Sequence, residues 1–257
     1  MHFHLPKPMH GWRAFVGEVA IIVLGVLIAL GAEQAVERWR WQEEVRAGRD
    51  ALRLDFEAIL ANAGEREAED KCIRDRLLLL RNLLDSHPVR LPALGHVGSP
   101  PARGWYPSSW DSMVASNVSA HMTRDDLVAF GSIAQEARLA EETVRHEIDD
   151  WTVIYTMVGP ARTLAAGEAS ELRKAITDAA YRLNLMRLVA PQIGRAINET
   201  KLLTKDDQAS VESDVTKVLG GVNARHICGP IALPDSNRVD APYDPAVQRD
   251  PFHGNQR

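Results

Sequence analysis

The longest unbroken run of hydrophobic positions lies near the N-terminus. Residues 19–32 read VAIIVLGVLIALGA, and residues 14–17 add AFVG ahead of the single acid Glu18. At ~1.5 Å of rise per residue, a helix over residues 14–32 is roughly 28 Å long, close to the ~30 Å of a bilayer's hydrocarbon core. The pattern predicts a transmembrane helix over residues 14–32, preceded by an N-terminal tail over residues 1–13.

Aromatic residues flank this segment at depths that fit the two membrane interfaces. Trp12 and Phe15 lie at one end, and Trp39 and Trp41 lie at the other. Trp12 and Trp39 are about 40 Å apart along a helix, which matches the ~40–45 Å between the two interfacial regions. We therefore expect these four residues to be membrane-interface anchors.

Two other interpretations of the apolar segment stay open. Lys7 and Arg13 resemble the basic region of a cleaved signal peptide, and residues 29–31 resemble its small-residue cleavage site. A soluble protein could also bury the segment as a core helix. Glu18 and the helix-forming residues that follow Ala32 favour an uncleaved anchor.

Four residues of the predicted span share one helical face. Glu18, Gly25, Ala29 and Ala32 stand at i, i+7, i+11 and i+14, and small residues on one face let two helices approach closely. These residues predict a helix–helix contact, and we hypothesise a homodimer through the transmembrane and stalk helices. For Glu18 we expect a position near the headgroups, where it also favours the helix dipole.

A heptad pattern follows the span. Over residues 33–86 the chain has no proline, and apolar residues occupy a and d positions of one register. They are Leu52, Phe56, Ile59, Ala63, Ile73, Leu77, Leu80 and Leu84. The pattern predicts a long stalk helix over residues 33–86, packed against a neighbouring helix or a second copy. Arg66 and Asp70 interrupt it, as a solvated break or as a hinge or register-setting pair.

The rest of the chain predicts an all-α fold. A Pro/Gly-rich connection spans residues 87–109, and a helical bundle domain spans residues 110–220. Within that bundle, Thr123 and Asp126 have the spacing of a helix N-terminal cap. Residues 221–257 are rich in proline and polar side chains, which is typical of a disordered tail.

Composition excludes several classes of protein. The chain has 30 lysine and arginine residues against 35 aspartate and glutamate residues without a basic face, which disfavours nucleic-acid binding. Two cysteines, Cys72 and Cys228, cannot form a multi-disulfide framework. We expect two buried thiols, with a single bridge as the alternative in an oxidising compartment. His226 and Cys228 offer two metal ligands without a second pair.

The spacing of known catalytic motifs is not met. His146 and Glu147 begin like a zinc-protease helix, but Asp150 stands where the second histidine belongs. Glu142 and His146 are four residues apart, whereas di-iron bundles need three. The acidic residues Glu147, Asp149 and Asp150 are expected on a solvated face. The sequence therefore indicates no catalytic, cofactor or metal site.

One segment resembles a known group of proteins. Residues 10–34, HGWRAFVGEVAIIVLGVLIALGAEQ, are similar to the N-terminal signature of uncharacterised bacterial single-pass membrane proteins. A later Ser-Trp-Asp…Ala-Ser…His-Met segment over residues 109–122 also resembles them, with Asn117 where a glycine is typical. The resemblance implies membrane anchorage and a bacterial source, and it implies no catalytic residue.

These patterns lead to two alternative functions. We expect a non-enzymatic, membrane-tethered interaction, scaffold or sensory module. The rival is a membrane-tethered, hydrolase-like enzyme whose site is assembled from Asp111, His121, His146 and Glu147. A pocket that contains at least two of these side chains with perturbed pKa values would favour the enzyme, and dry helix packing would exclude it.

The charges around the span leave its orientation open. Two basic residues, Lys7 and Arg13, precede the span, and four follow it closely, namely Arg38, Arg40, Arg46 and Arg49. By count alone, this places the large domain in the cytoplasm. A short basic tail usually stays inside, however, and a long domain that follows can be exported regardless of its charge. We therefore expect a protein of the cell inner membrane with a periplasmic domain.

Overall fold

The structure, a computed structural model, describes residues 11–220 and 227–229. Within these residues, five α-helices are joined by short irregular segments and one 3-10 turn, Val118–His121. The helices are α1 (Trp12–Ser86), α2 (Ser108–Ala115), α3 (Arg124–Tyr155), α4 (Glu168–Glu199) and α5 (Lys205–Gly220). Two short antiparallel strands, β1 (Arg90–Leu91) and β2 (Arg162–Thr163), pair at the end of the bundle farthest from the N-terminal part of α1. The predicted all-α fold is confirmed.

Helix α1 is a single element of 75 residues, about 112 Å long. Its apolar first part is long and hydrophobic enough to cross a membrane, and none of that segment is buried against the folded domain. The interpretation of the segment as a soluble core helix is therefore wrong. Packing begins at Trp41, so the exposed segment continues without a break into the helix that forms one side of the bundle.

Ion pairs show the directions of the other helices relative to α1. Helix α3 runs parallel to α1, as shown by the pairs Arg49–Asp126 and Arg66–Glu147. Helix α4 returns antiparallel, as shown by the pairs Asp85–Arg173 and Asp70–Arg187. Helix α5 runs parallel to α1 again, with Asp207 against Arg53 and Val215 against Gly64. The end of the bundle nearest the apolar segment is thus formed by α1, the start of α3 and the α4–α5 turn.

All eight apolar heptad residues of α1 are buried, which confirms the packing predicted for this part of the chain. Their partners are neighbouring helices of the same chain, above all α4. The buried residues form two apolar clusters. The first includes Leu52, Phe56 and Phe130 and lies nearer the apolar segment, and the second includes Ile73, Leu80 and Ile154.

The predicted cap of α3 is present. Thr123 is the N-cap residue, and its Oγ1 accepts a hydrogen bond from the backbone N–H of Asp126 at 3.2 Å. Helix α4 continues through Pro191. Because proline has no N–H, one intrahelical hydrogen bond is lost there without ending the helix.

The connection between α1 and α2 contributes to the core, although its sequence predicted only a long loop. Leu91, Leu94, Val97 and Trp105 are all buried. Leu94 exchanges two backbone hydrogen bonds with Gly159, at 2.8 and 2.9 Å, which ties the connection to the segment after α3. The connection therefore covers one side of the bundle.

Candidate functional site

A buried ion pair lies between the two apolar clusters. The guanidinium of Arg66 on α1 donates two hydrogen bonds to the carboxylate of Glu147 on α3, at 2.6 and 2.8 Å. Both side chains are at most 5% exposed. This two-point geometry holds α1 and α3 in one register, since a planar guanidinium matches a carboxylate only in a narrow range of positions.

Further charged residues surround this pair. Buried Glu65 binds Arg103 of the connection through two hydrogen bonds, at 2.7 and 2.9 Å, and these bonds raise the pKa of Arg103. Asp150 on α3 faces Arg182 on α4 at 2.8 Å, and burial raises the pKa of Asp150 against the opposing effect of Arg182. Together with Asp70, which pairs with Arg74 and Arg187 on α1 and α4, these residues form a polar layer across the bundle.

The polar layer corrects two expectations. Arg66 is not part of a solvated break, because it pairs with Glu147 in the interior. Asp70 is only partly exposed and pairs with Arg74 and Arg187, which are themselves about half exposed. Of the three acidic residues expected on a solvated face of α3, Asp149 is exposed as expected, whereas Glu147 is 2% exposed and Asp150 meets Arg182. The α4 side chains that neutralise this layer are remote in sequence, and the helical pattern of α3 alone could not reveal them.

The C-terminal segment is fastened to α1 at two adjacent turns. Cys72 and Cys228 form a disulfide bond, so the expectation of two unpaired thiols is wrong. One turn further along α1, the buried Arg76 guanidinium donates to the backbone carbonyls of Val97, Ile227 and Gly229. Burial lowers the pKa of Arg76. Residues 227–229 were assigned to a disordered tail by the sequence, and they are instead packed on the bundle.

The disulfide also bears on metal binding. The sulfur of Cys228 is bonded to Cys72, which removes it as a thiolate ligand. His226 lies outside the described residues. Within residues 11–220 and 227–229, no group of three or more metal-binding side chains comes together.

An open cleft of about 900 Å³ lies just beyond the apolar segment. Its walls are the first packed turns of α1 and the 3-10 turn, and Trp41 stacks on His121 with ring centroids 3.9 Å apart. Arg38, Arg46 and Arg49 also line it. Arg49 is bound to Asp126 and Arg46 to Glu43, so most of the positive charge is neutralised locally.

The predicted membrane residues have different surroundings. Trp12, Phe15 and Trp39 are between 60% and 74% exposed on α1, and they remain predicted interface anchors. Trp41 is partly buried against the bundle, so its ring also supports the base of the folded domain. Glu18, Gly25, Ala29 and Ala32 are exposed on the helix, and nothing in the folded domain covers Gly25. A helix–helix contact through these four residues stays a prediction.

The four candidates for an enzymatic site have separate surroundings. His121 stacks on Trp41 at the base of the bundle, and Glu147 binds Arg66 in its interior. His146 lies on the exposed side of α3. Its Nε2 is 3.9 Å from Oε1 of Glu142, and its Nδ1 is 3.8 Å from Oδ2 of Asp149. Asp111 accepts hydrogen bonds from Tyr106 and Arg138 near the surface. The structure does not assemble them into one site.

Comparison with models of protein families, with curated proteins and with solved structures gives no match. Fold and site geometry therefore define the class of protein, namely a helical bundle with an exposed apolar N-terminal helix and a disulfide-fastened C-terminal segment.

Proposed function

We propose that this chain is a single-pass membrane protein whose helical bundle is an interaction or sensory module at the membrane surface. One observation carries the proposal: α1 is both the exposed apolar helix and a core helix of the bundle. Only residues 33–40 separate the predicted span from the first packed residue, Trp41, which is about 13 Å of helix. The bundle is thereby tethered close to the headgroups.

The continuity of α1 between the apolar segment and the bundle supports a sensory role. A continuous α-helix transmits rotation and displacement along its axis, whereas a flexible linker would dissipate them. The buried Arg66–Glu147 pair fixes α1 against α3, and the buried heptad residues of α1 pack against α4. A partner that shifts α3 or α4 would therefore also move the apolar segment.

The disulfide supports an extracytoplasmic bundle, in agreement with the orientation expected from the short basic tail. Disulfide bonds persist in the periplasm and other oxidising compartments, whereas cytosolic reductants keep thiols reduced. Cys72 and Cys228 both belong to the folded domain, so their bond is expected only where that domain is exported. We propose an inner-membrane protein with a periplasmic bundle, from a bacterial source as the resemblance of residues 10–34 implies.

Membrane extraction and mass spectrometry test the anchor. After alkaline carbonate washing of membranes, we expect the full chain in the pellet, because about 30 Å of apolar helix holds it in the bilayer. Mass spectrometry should find the N-terminal residues 1–13 still attached. A chain released by carbonate, or one that begins near Ala32, would contradict the anchor and indicate a cleaved signal peptide.

We also propose that two copies of the chain pair through the helix face that carries Gly25, Ala29 and Ala32, and cysteine crosslinking tests this homodimer. We expect Gly25→Cys to form a disulfide-linked dimer in oxidised membranes, because Gly25 and Ala29 allow close approach of two helices. Leu27→Cys is the matched control, since Leu27 lies about 200° around the helix from Gly25. Equal crosslinking of the two variants, or none at Gly25, would contradict this interface.

A further inference from the structure

Residues 227–229, which we call the strap, lie against α1, and few contacts hold them there. Ile227 is 1% exposed and belongs to the second apolar cluster. Gly229 is buried but has no side chain that could contribute apolar contacts. Cys228 is bonded to Cys72 of α1. The strap therefore buries one large apolar side chain and one covalent bond.

The guanidinium of Arg76 makes the other contact between the strap and α1. All three hydrogen bonds that it makes within residues 11–220 and 227–229 go to backbone carbonyls, two of them on Ile227 and Gly229 and one on Val97. The net stability gained from such bonds is modest, because a guanidinium that becomes exposed donates to water instead. Arg76 therefore positions the strap without holding it strongly.

The disulfide bond is the main restraint on the strap. Fixing three residues against a surface is opposed by their conformational entropy, and one buried isoleucine offsets only part of that term. The bond between Cys72 and Cys228 keeps the strap beside α1 even when its other contacts break, so less entropy remains to be lost. We therefore expect the strap to stay in place in the oxidised chain and to leave α1 once the bond is broken.

The surroundings of the bond favour its reduction in the folded chain. Cys72 and Cys228 are both only partly buried where they pack against the second apolar cluster. The first thiolate of a dithiol attacks one of the two sulfurs, which breaks the protein disulfide and forms a mixed disulfide. Its second thiolate then displaces the protein sulfur, and the dithiol leaves as a cyclic disulfide. Two electrons thereby pass to the protein, and the two protons of the dithiol end on the cysteine thiols.

We propose that the strap is a redox-operated device: a dithiol reductant releases residues 227–229 from α1 while the bundle stays folded. Release exposes Ile227 and the apolar surface that it covers, and it leaves Arg76 with one of its three acceptors, the carbonyl of Val97. The oxidised and reduced chains thus present different surfaces at the same turn of α1. As a signal to the module, the release rests on the proposed sensory function. The release itself needs neither the membrane anchor nor the homodimer and is tested separately from them.

Methyl NMR on the full chain in lipid nanodiscs tests the release, with dithiothreitol as the dithiol. A water-soluble gadolinium chelate speeds the relaxation of methyl groups that solvent reaches. The variant Ile227→Val assigns the Ile227 signal by its loss. Ile133, which is 1% exposed in the first apolar cluster, reports the folded bundle, and Ile148, which is 46% exposed, is the exposed reference. We expect dithiothreitol to raise the relaxation of Ile227 from the level of Ile133 to that of Ile148, with Ile133 unchanged.

The matched control is Cys72→Ser with Cys228→Ser, which cannot form the bond. Its Ile227 methyl should be exposed with or without dithiothreitol. If the wild-type methyl stays as shielded as that of Ile133 after both thiols have become free, Ile227 and Arg76 alone hold the strap and the proposal is overturned. Exposure of Ile133 together with Ile227 would overturn it as well, because reduction would then unfold the bundle. A bond that excess dithiothreitol leaves intact in the folded chain would be equally contrary.

Discussion

Replacing Glu147 with leucine is expected to lower the free energy of unfolding by about 3–5 kcal/mol, because it leaves the Arg66 guanidinium buried and unpaired. Arg66 is 5% exposed and donates two charge-assisted hydrogen bonds to this one carboxylate. Denaturant unfolding of the full chain in detergent micelles measures the change. The fluorescence of the buried Trp105, Trp110 and Trp151 reports loss of the bundle while the apolar helix stays in the micelle.

The matched control for this substitution removes both charges. In Arg66→Met with Glu147→Leu, no buried charge is left alone, so we expect stability within about 1–2 kcal/mol of the wild type, or above it. The pattern of a destabilised single variant and a recovered double variant identifies a desolvated pair. If Glu147→Leu alone cost less than about 1 kcal/mol, as exposed pairs do, the pair would not be buried as described.

Loss of the disulfide is expected to have the second largest effect. Cys72 and Cys228 are 156 residues apart in sequence, so their bond closes a very long loop and strongly restricts the unfolded chain. We expect Cys72→Ser with Cys228→Ser to lower the free energy of unfolding by about 2–5 kcal/mol. The same unfolding experiment, with and without a reductant, measures it.

The reductant supplies the control for the cysteine variants. It should destabilise the wild type by about as much as the double substitution does, and it should leave the double variant unchanged. Cys72→Ser and Cys228→Ser alone should each resemble the double variant, since either one breaks the bond. Two free thiols in unreduced, purified wild type would contradict the structure of this segment.

Much of the fold follows from hydrophobic periodicity. The heptad from Leu52 to Leu84 predicted one face of α1 correctly because burial of that face repeats every 3.5 residues along a helix packed against its neighbours. Thr123 and Asp126 predicted the start of α3 because a cap depends on residues three apart in sequence. Local signals of this kind can be recognised in a single sequence.

Features that depend on residues remote in sequence could not be predicted. The Cys72–Cys228 bond joins positions that only the complete bundle brings together. Glu147 looked like a surface acid because Arg66 lies 81 residues away. The connection was interpreted as a simple loop because Leu91, Leu94 and Val97 are too few and too widely spaced to show a period.

Whether the candidate catalytic residues form one site also depends on contacts between residues that are remote in sequence. His121, His146 and Asp111 could be named from the sequence, but their different surroundings depend on how α1, α2 and α3 pack. The indole N–H of Trp151, which has no hydrogen-bond partner among residues 11–220 and 227–229, has no local signature in the sequence either.

The most direct test of a membrane-anchored, exported bundle is the activity of alkaline phosphatase fused to the C-terminus, with a green fluorescent protein fusion as the matched control. Alkaline phosphatase requires disulfide bonds and is therefore active only outside the cytoplasm. We expect high phosphatase activity in carbonate-washed membranes and no fluorescence from the control fusion. Inactive phosphatase together with a fluorescent control fusion would place the bundle in the cytoplasm and contradict both the orientation and the oxidised state of Cys72 and Cys228.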